Sequence, residues 1–280
     1  MRNYGPPDQF GLEENFHDYL DKLMILMGEI RRVLKDSGSV WINIGDKYDT
    51  HKQIQPKTRL GIPERFYARC IDDGWLARNY CIWYKRSHKP EPVTDRFTIN
   101  WEPVLFFTKK QHYYFDLDPL RIPAKTKDNW GRKTEGVQTS LDGKTIDEKV
   151  DSGNAKTAGM KPTNKKCNNP FLPDGHSQSV DKYQYKYSHP KGTNPGAVFD
   201  INIRPFPAAH FATFPPELPE RILKCACPQD GIVLDPFFGA GTTGLAAEKL
   251  GRKWIGIELD PESVQIAQDR LAKYHNKQLQ

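Results

Sequence analysis

Nowhere in the 280 residues is there an uncharged apolar run long enough to cross a bilayer, and the N-terminus lacks a basic segment followed by an apolar one. Neither a membrane span nor a secretory leader is expected, so the sequence points to a soluble cytoplasmic protein without a membrane partner. Cysteine is scarce: Cys70, Cys81, Cys167, Cys225 and Cys227 are odd in number and scattered, with no C-x-x-C pair. That spacing argues against a disulfide framework and against zinc, and no metal site is expected. Cys225-Ala226-Cys227 reads as part of a helix. There is no internal repeat. Most of the chain also lacks net charge: of the formal +6, residues 121–195 hold 14 Lys/Arg against 8 Asp/Glu, leaving 27 of each sign elsewhere.

The segment 121–195 is rich in Gly, Asn, Lys, Thr and Ser, poor in apolar runs, and dotted with Trp130, Phe171, Tyr183, Tyr185 and Tyr187. It reads as a loop-rich insert, partly disordered without a partner. Basic residues interleaved with aromatics suit phosphate and base contacts, and a solvated linker is the alternative. The expected organisation is one domain from 1–120 and 196–280, interrupted by this insert.

What is present is concentrated near the C-terminus. Gly231-Ile232-Val233-Leu234-Asp235 is apolar and β-branched, as a buried parallel strand should be. Gly239 and Gly241 then let the chain turn tightly into a helix over 242–250, and a second strand ends at Glu258, 19 residues after Gly239. An acid at about that distance accepts hydrogen bonds from both ribose hydroxyls of an adenine nucleoside. Gly239, Gly241 and Gly244 also satisfy G-x-G-x-x-G, which alone would fit a dinucleotide enzyme. Only 36 residues follow Gly244, enough for one strand and one helix, so the rest of the sheet must come from upstream.

Upstream, an amphipathic helix is expected over about 15–34, with Phe16, Leu20, Leu23, Ile30 and Val33 on its apolar face, ending at Asp36-Ser37-Gly38. A strand follows at 39–44, a helix at 63–72, and strands at 80–84 and 104–108 that could pair antiparallel at a sheet edge. The fold class is α/β, a doubly wound, mostly parallel sheet of Rossmann type in permuted order.

Asp235-Pro236-Phe237-Phe238-Gly239-Ala240-Gly241-Thr242-Thr243 with Ile255-Gly256-Ile257-Glu258-Leu259-Asp260 resembles the S-adenosyl-L-methionine site of the amino-group DNA methyltransferases, in the subclass whose catalytic motif precedes its cofactor motif. His210 to Leu218, Leu34 to Asp46, Gly74 to Lys85, Asp95-Arg96-Phe97 and Trp101 to Lys109 match the same family in the same order. The resemblance implies cofactor contacts from Asp235, Phe237, Gly239, Gly241, Thr242 and Thr243, a ribose contact from Glu258, and a contact near the methionine end from Thr213. It makes 121–195 the target-recognition region, duplex DNA the substrate, and a restriction endonuclease system the cellular setting. Attack on a base inside a duplex is sterically impossible, so the target must swing out and stack on an aromatic face. Trp41, Trp83 and Trp101 are candidates for that face, each with core packing as the competing explanation. Asp46 could reach a ligand or cap a loop.

One departure stands out. The family's catalytic loop is Ser-Pro-Pro-Tyr or Asp-Pro-Pro-Tyr, and no such tetrapeptide occurs here. Met1-Arg2-Asn3-Tyr4-Gly5 resembles the residues just downstream of that loop, so the chain reads as beginning inside the motif, through a displaced start codon or a true truncation. Cytosine-N4 is the expected target, with adenine-N6 as one alternative and a non-catalytic DNA-binding or partner subunit as another.

Overall fold

The computed structural model describes residues 9–49, 53–88, 90–123, 191–204 and 213–278. Residues 1–121 with 194–280 form one compact unit and residues 122–193 another. Met1 to Asp8, His210 to Ala212 and the insert's aromatic residues lie outside the described residues.

In the larger unit, α1 (Phe16–Val33) starts where Asn15 Oδ1 accepts from the amides of His17 and Asp18, at 2.9 and 3.0 Å. That bond satisfies donors which the first helical turn cannot. Its buried stripe is Phe16, Tyr19, Leu20, Leu23 and Met27. Ile30 packs against the same core, but Val33 is 51% exposed. The stripe drifts away from the core over the helix length, so the expected apolar face was one turn too long. Strand β1 (Ser39–Asn43) and helix α2 (Ile62–Asp72) follow, then β2 (Leu76–Tyr84), β3 (Trp101–Thr108) and β4 (Val198–Asp200).

These strands form one sheet in the order β1-β3-β2-β4. β3 runs antiparallel to both neighbours, and β4 is parallel to β2. The antiparallel pairing expected for β2 and β3 is present, but β3 lies inside the sheet and not at its edge. Period-two patterning distributes the faces. Val40, Ile42, Leu105 and Phe107 turn to α1 and α2, whereas Trp41 and Val104 turn to the opposite core. Within β2 the register shifts between Ala77 and Asn79, which brings Ala77 and Tyr80 to one face despite their odd spacing.

The opposite face is covered by α3 (Glu217–Ala226), through Leu218 and Ile222. Further along α3, Leu223, together with Cys227 just beyond it, packs on Ala246 and Ala247 of α4 (Thr242–Lys249). A second sheet has two described strands, β5 (Ile232–Asp235) and β6 (Lys253–Gly256), paired in parallel. Helix α5 (Pro261–Gln278) closes the described chain. One face of this ribbon is packed, through Val233 and Trp254. The other is not: Ile232 is 54% exposed, Leu234 38% and Ile255 52%. The strand expected to be buried on both faces is covered on one.

No described helix is long and apolar enough to cross a membrane. Cys225 is buried, and burial pushes its thiol up to about 12, so it stays protonated and unreactive at neutral pH.

Candidate active site

The chain leaves β5 at Asp235 and turns at 236–237 and again at 239–241 before α4 begins. Asp235 Oδ1 accepts from the Phe237 amide at 3.0 Å, and its carboxyl also bonds the Thr243 hydroxyl. Burial, helped by the nearby Glu258 charge and opposed by these bonds, lifts the Asp235 carboxyl above its usual range. Gly239 and Gly241 take the left-handed conformation, at φ +49 and +73°, which L side chains rarely adopt. A Cβ on Gly239 would meet nothing closer than 4.0 Å, so a ligand can approach the backbone there. The first amides of α4 have no side-chain cap and carry the partial positive charge of a helix N-terminus.

The third glycine of the G-x-G-x-x-G spacing has a different purpose. A Cβ on Gly244 would lie 2.6 Å from the Phe238 ring, and one on Gly256 2.4 Å from it. Phe238 is clamped between α4 and β6 and stacks on Trp254, with centroids 4.8 Å apart. Gly244 and Gly256 make room for an internal ring, which explains the dinucleotide-like spacing without a dinucleotide.

Glu258, just past β6, reaches back to the turn. Its Oε2 accepts from the Gly239 amide at 2.7 Å, and Oε1 accepts from the amides of Leu259 and Asp260 at 2.8 and 2.9 Å. A carboxylate has about four acceptor positions; three are used inside the protein, leaving one for a ligand hydroxyl. Asp260 caps α5 through the Ser263 amide and hydroxyl, at 3.0 and 2.6 Å, and the hydroxyl holds its carboxyl below the usual range. Between β6 and α5 lies a cleft of about 390 Å³, bordered by Glu258, Ile257, Val264 and Gln268.

The sequence reading missed Arg270. From α5 its guanidinium donates to the Ala240 carbonyl at 2.6 Å and to Thr242 Oγ1 at 3.1 Å, bracing the turn from below. Thr242 is 5% exposed, so its hydroxyl serves this brace. Spacing could not reveal the pairing, because the partners are 28 and 30 positions apart and meet only when α5 packs on α4. Phe237 is 54% exposed, and Phe10 meets it edge-on at 5.2 Å, which brings the start of the described chain to the turn. Thr213 is half-buried four residues before α3.

The expected base-stacking residues divide. Trp83 is 3% exposed, its Nε1 donates to the Ile201 carbonyl at 2.7 Å, and the Lys85 ammonium lies 4.1 Å from its ring centre. It is a core residue and has no free face for a base. Trp41 stacks on Phe106 at 4.0 Å. Trp101 is half-buried at the start of β3, where β1 and β2 end, with the Arg59 guanidinium 6.0 Å from its ring. Asp46 caps: it accepts from the amides of Gly61 and Ile62 at 3.2 and 3.0 Å and from Arg59 Nε at 2.8 Å, fixing the entry to α2. Lys85 and Asn43 both bond Glu102, tying together the ends of three strands at the same edge.

A glycine turn after a parallel strand, an unsatisfied helix N-terminus and an acid at the end of the next strand define an α/β protein that takes a nucleoside-bearing ligand at the carboxyl ends of its strands. The particular family is shown by sequence: a family of DNA methylases matches residues 4–269, and the chain belongs to these amino-group DNA methyltransferases. The type II methyltransferase M.XycI of Xanthomonas campestris pv. cyanopsidis is 31% identical, over 97% of this chain and 77% of that protein. M.SmaI of Serratia marcescens is 29% identical, over 98% and 80%. Among solved structures, the cytosine-N4-specific PvuII DNA methyltransferase superposes with a TM-score of 0.61 at 19% identity, over 94% of this chain and 75% of that one. A putative DNA modification methylase of Thermus thermophilus, complexed with S-adenosyl-L-methionine, gives 0.55 at 22%, over 96% and 83%.

Proposed function

We propose that this DNA methylase transfers a methyl group from S-adenosyl-L-methionine to the exocyclic amine of cytosine, at N4, within a restriction–modification system. The observation that carries the cofactor is the open backbone at Gly239 with Glu258 clasped beside it, one acceptor position still free. When bound, the cofactor supplies a methyl on a positively charged sulfur. The amine nitrogen would take that methyl while the S–C electron pair stays on sulfur as a neutral thioether, and the amine's proton would pass to solvent water. The protein's share is to hold the two partners in line and to stabilise charge developing on the amine.

The residues assigned to the cofactor are Thr213, Asp235, Phe237, Gly239, Gly241, Thr242 and Thr243, with Glu258 on the ribose. Thr242 contributes through its backbone, its hydroxyl being committed to Arg270. Residues 121–195 are assigned to duplex DNA because the net positive charge lies there. The cytosine assignment rests on the Arg2-Asn3-Tyr4-Gly5 start and the His210 to Pro215 segment, which resemble members with the serine form of the catalytic loop. A cytosine-N4 name on a structural relative agrees with it.

A second reading is favoured by the absent polar-Pro-Pro-aromatic tetrapeptide: a chain that binds cofactor and DNA as a partner subunit without turnover. The deciding experiment is transfer of labelled methyl groups to DNA by the 280-residue chain and by a form extended with its in-frame upstream codons. Where those codons encode Ser-Pro-Pro-Tyr or Asp-Pro-Pro-Tyr, the extended form is expected to be faster by orders of magnitude. N4-methylcytosine as product supports the assignment, N6-methyladenine replaces it, and robust turnover by the short form refutes the need for an upstream loop.

A further inference from the structure

Phe97 is the most exposed large apolar side chain among the described residues, at 95%. A ring left in water forfeits the burial for which aromatic residues are mostly used. Its backbone is nevertheless held firmly. The connection 85–100 leaves β2 and returns to β3, and the Lys85 amide donates to the Asn100 carbonyl at 2.8 Å, closing its base. Pro90 and Pro92 fix φ within it. Asp95 accepts from Lys57 Nζ at 2.7 Å. Arg96 donates to Glu91 at 2.8 Å and to the Phe97 carbonyl at 3.2 Å, and its guanidinium lies 4.3 Å from the centre of the Tyr48 ring. A slack loop would let the ring fold back onto apolar surface, and these contacts prevent that.

Location indicates what the ring meets. The loop hangs from the edge at which β1, β2 and β4 end. Contacts link it to the glycine turn: Phe237 touches Phe10, the nearby Glu14 carbonyl accepts from Gln53 Nε2 at 3.0 Å, and Lys57, in the same connection as Gln53, bonds Asp95. Lys57 and Arg86, with side chains 84 and 66% exposed, put cations on these loops. A duplex that presents a base to the turn lies over this edge. Extruding the base costs stacking energy and leaves a gap in the helix, and an apolar side chain pushed between base steps offsets that cost. We propose that Phe97 is the wedge that enters the DNA stack as the target base leaves it. Its task is separate from that of the aromatic face on which the extruded base stacks. The duplex and the extruded base come from the proposed function, whereas the choice of residue comes from the fold.

The test uses the 280-residue chain and a duplex that it selects from a random-sequence pool. Phe97→Ala is expected to weaken binding to that duplex by roughly ten-fold or more, the scale of one lost aromatic–base stack. Thermal unfolding and affinity for S-adenosyl-L-methionine should not change, because the ring is 95% exposed in the folded protein. Phe97→Leu keeps an apolar wedge and should recover most of the loss. A set of duplexes with one base removed at each position in turn gives a readout that a general surface contact would not move. At one position the gap should largely abolish the difference between Phe97→Ala and the unaltered chain, since no base remains there to unstack. Unchanged affinity overturns the proposal, as does a deficit that is equal at every position. Loss of self-association with DNA binding intact assigns the ring to a second copy and also overturns it. If the unaltered chain selects no duplex at all, the functional reading fails and the wedge with it; a selected duplex that ignores Phe97→Ala refutes the wedge alone.

Discussion

Glu258→Ala removes one side chain that has two separable jobs. Inside the protein it accepts from three amides, those of Gly239, Leu259 and Asp260. Those donors are half-exposed and can turn to water, so the stability loss should be modest, about 1–3 kcal/mol. Toward the ligand, it is assigned a charge-assisted bond to the ribose worth about 1.5–3 kcal/mol, which weakens cofactor binding roughly 10- to 150-fold. Thermal unfolding without cofactor reads the first job, and calorimetry well below the variant's melting temperature reads the second. Asp260→Ala is the control, because it removes the cap on α5 and should cost about 1 kcal/mol with cofactor affinity changed less than about two-fold. If Glu258→Ala lowers stability but binds S-adenosyl-L-methionine as the unaltered protein does, Glu258 only clasps the turn. If both variants lose affinity equally, the loss reflects the loop and not a ribose bond.

Gly256→Ala places a methyl 2.4 Å from the Phe238 ring and should cost about 1–3 kcal/mol in urea unfolding; Phe238→Leu should relieve part of that, and strictly additive losses would refute the packing account. For Asp235 the folded carboxyl is raised by burial, so the folded state holds its proton more tightly than the unfolded chain does. Stability is then lost as pH rises from the ordinary value of 3.8 through the folded one, and Asp235→Asn should remove that fall; parallel stability curves for the two proteins would show the burial has no such effect. Asp260 has the opposite sign: its bond to Ser263 lowers the folded value, so the contribution is present above 3.8 and fades as pH drops, and the gap between Ser263→Ala and the unaltered protein should narrow in acid. Deleting residues 121–195 should flatten the salt dependence of duplex binding, by a slope of about 0.9 for each phosphate that the shortened protein no longer neutralises; an unchanged slope would make the insert a linker.

Local rules were enough for much of this protein. The period of the 15–34 segment gave α1, and the β-branched run into Asp235 gave β5 with the turn after it. The distance from Gly239 to Glu258 set an acid opposite the turn, and the two meet at 2.7 Å. Composition alone located the net charge. Tertiary structure decided what depends on partners far apart in the chain. Arg270 braces Ala240 only because α5 lies against α4, and Asp46 caps a helix 16 residues on. Trp83 reads the same as Trp101 in the sequence, yet three-dimensional packing gives it a 3% exposed core position with its nitrogen bound to a carbonyl 118 residues away. Gly244 and Gly256 owe their identity to the ring of Phe238, and no spacing rule encodes a ring that packs across two elements. The face of β5 and β6 is of the same kind: sequence reports that a strand wants burial on both sides, and only the assembled sheet shows that Val233 and Trp254 are packed while Ile232, Leu234 and Ile255 are exposed.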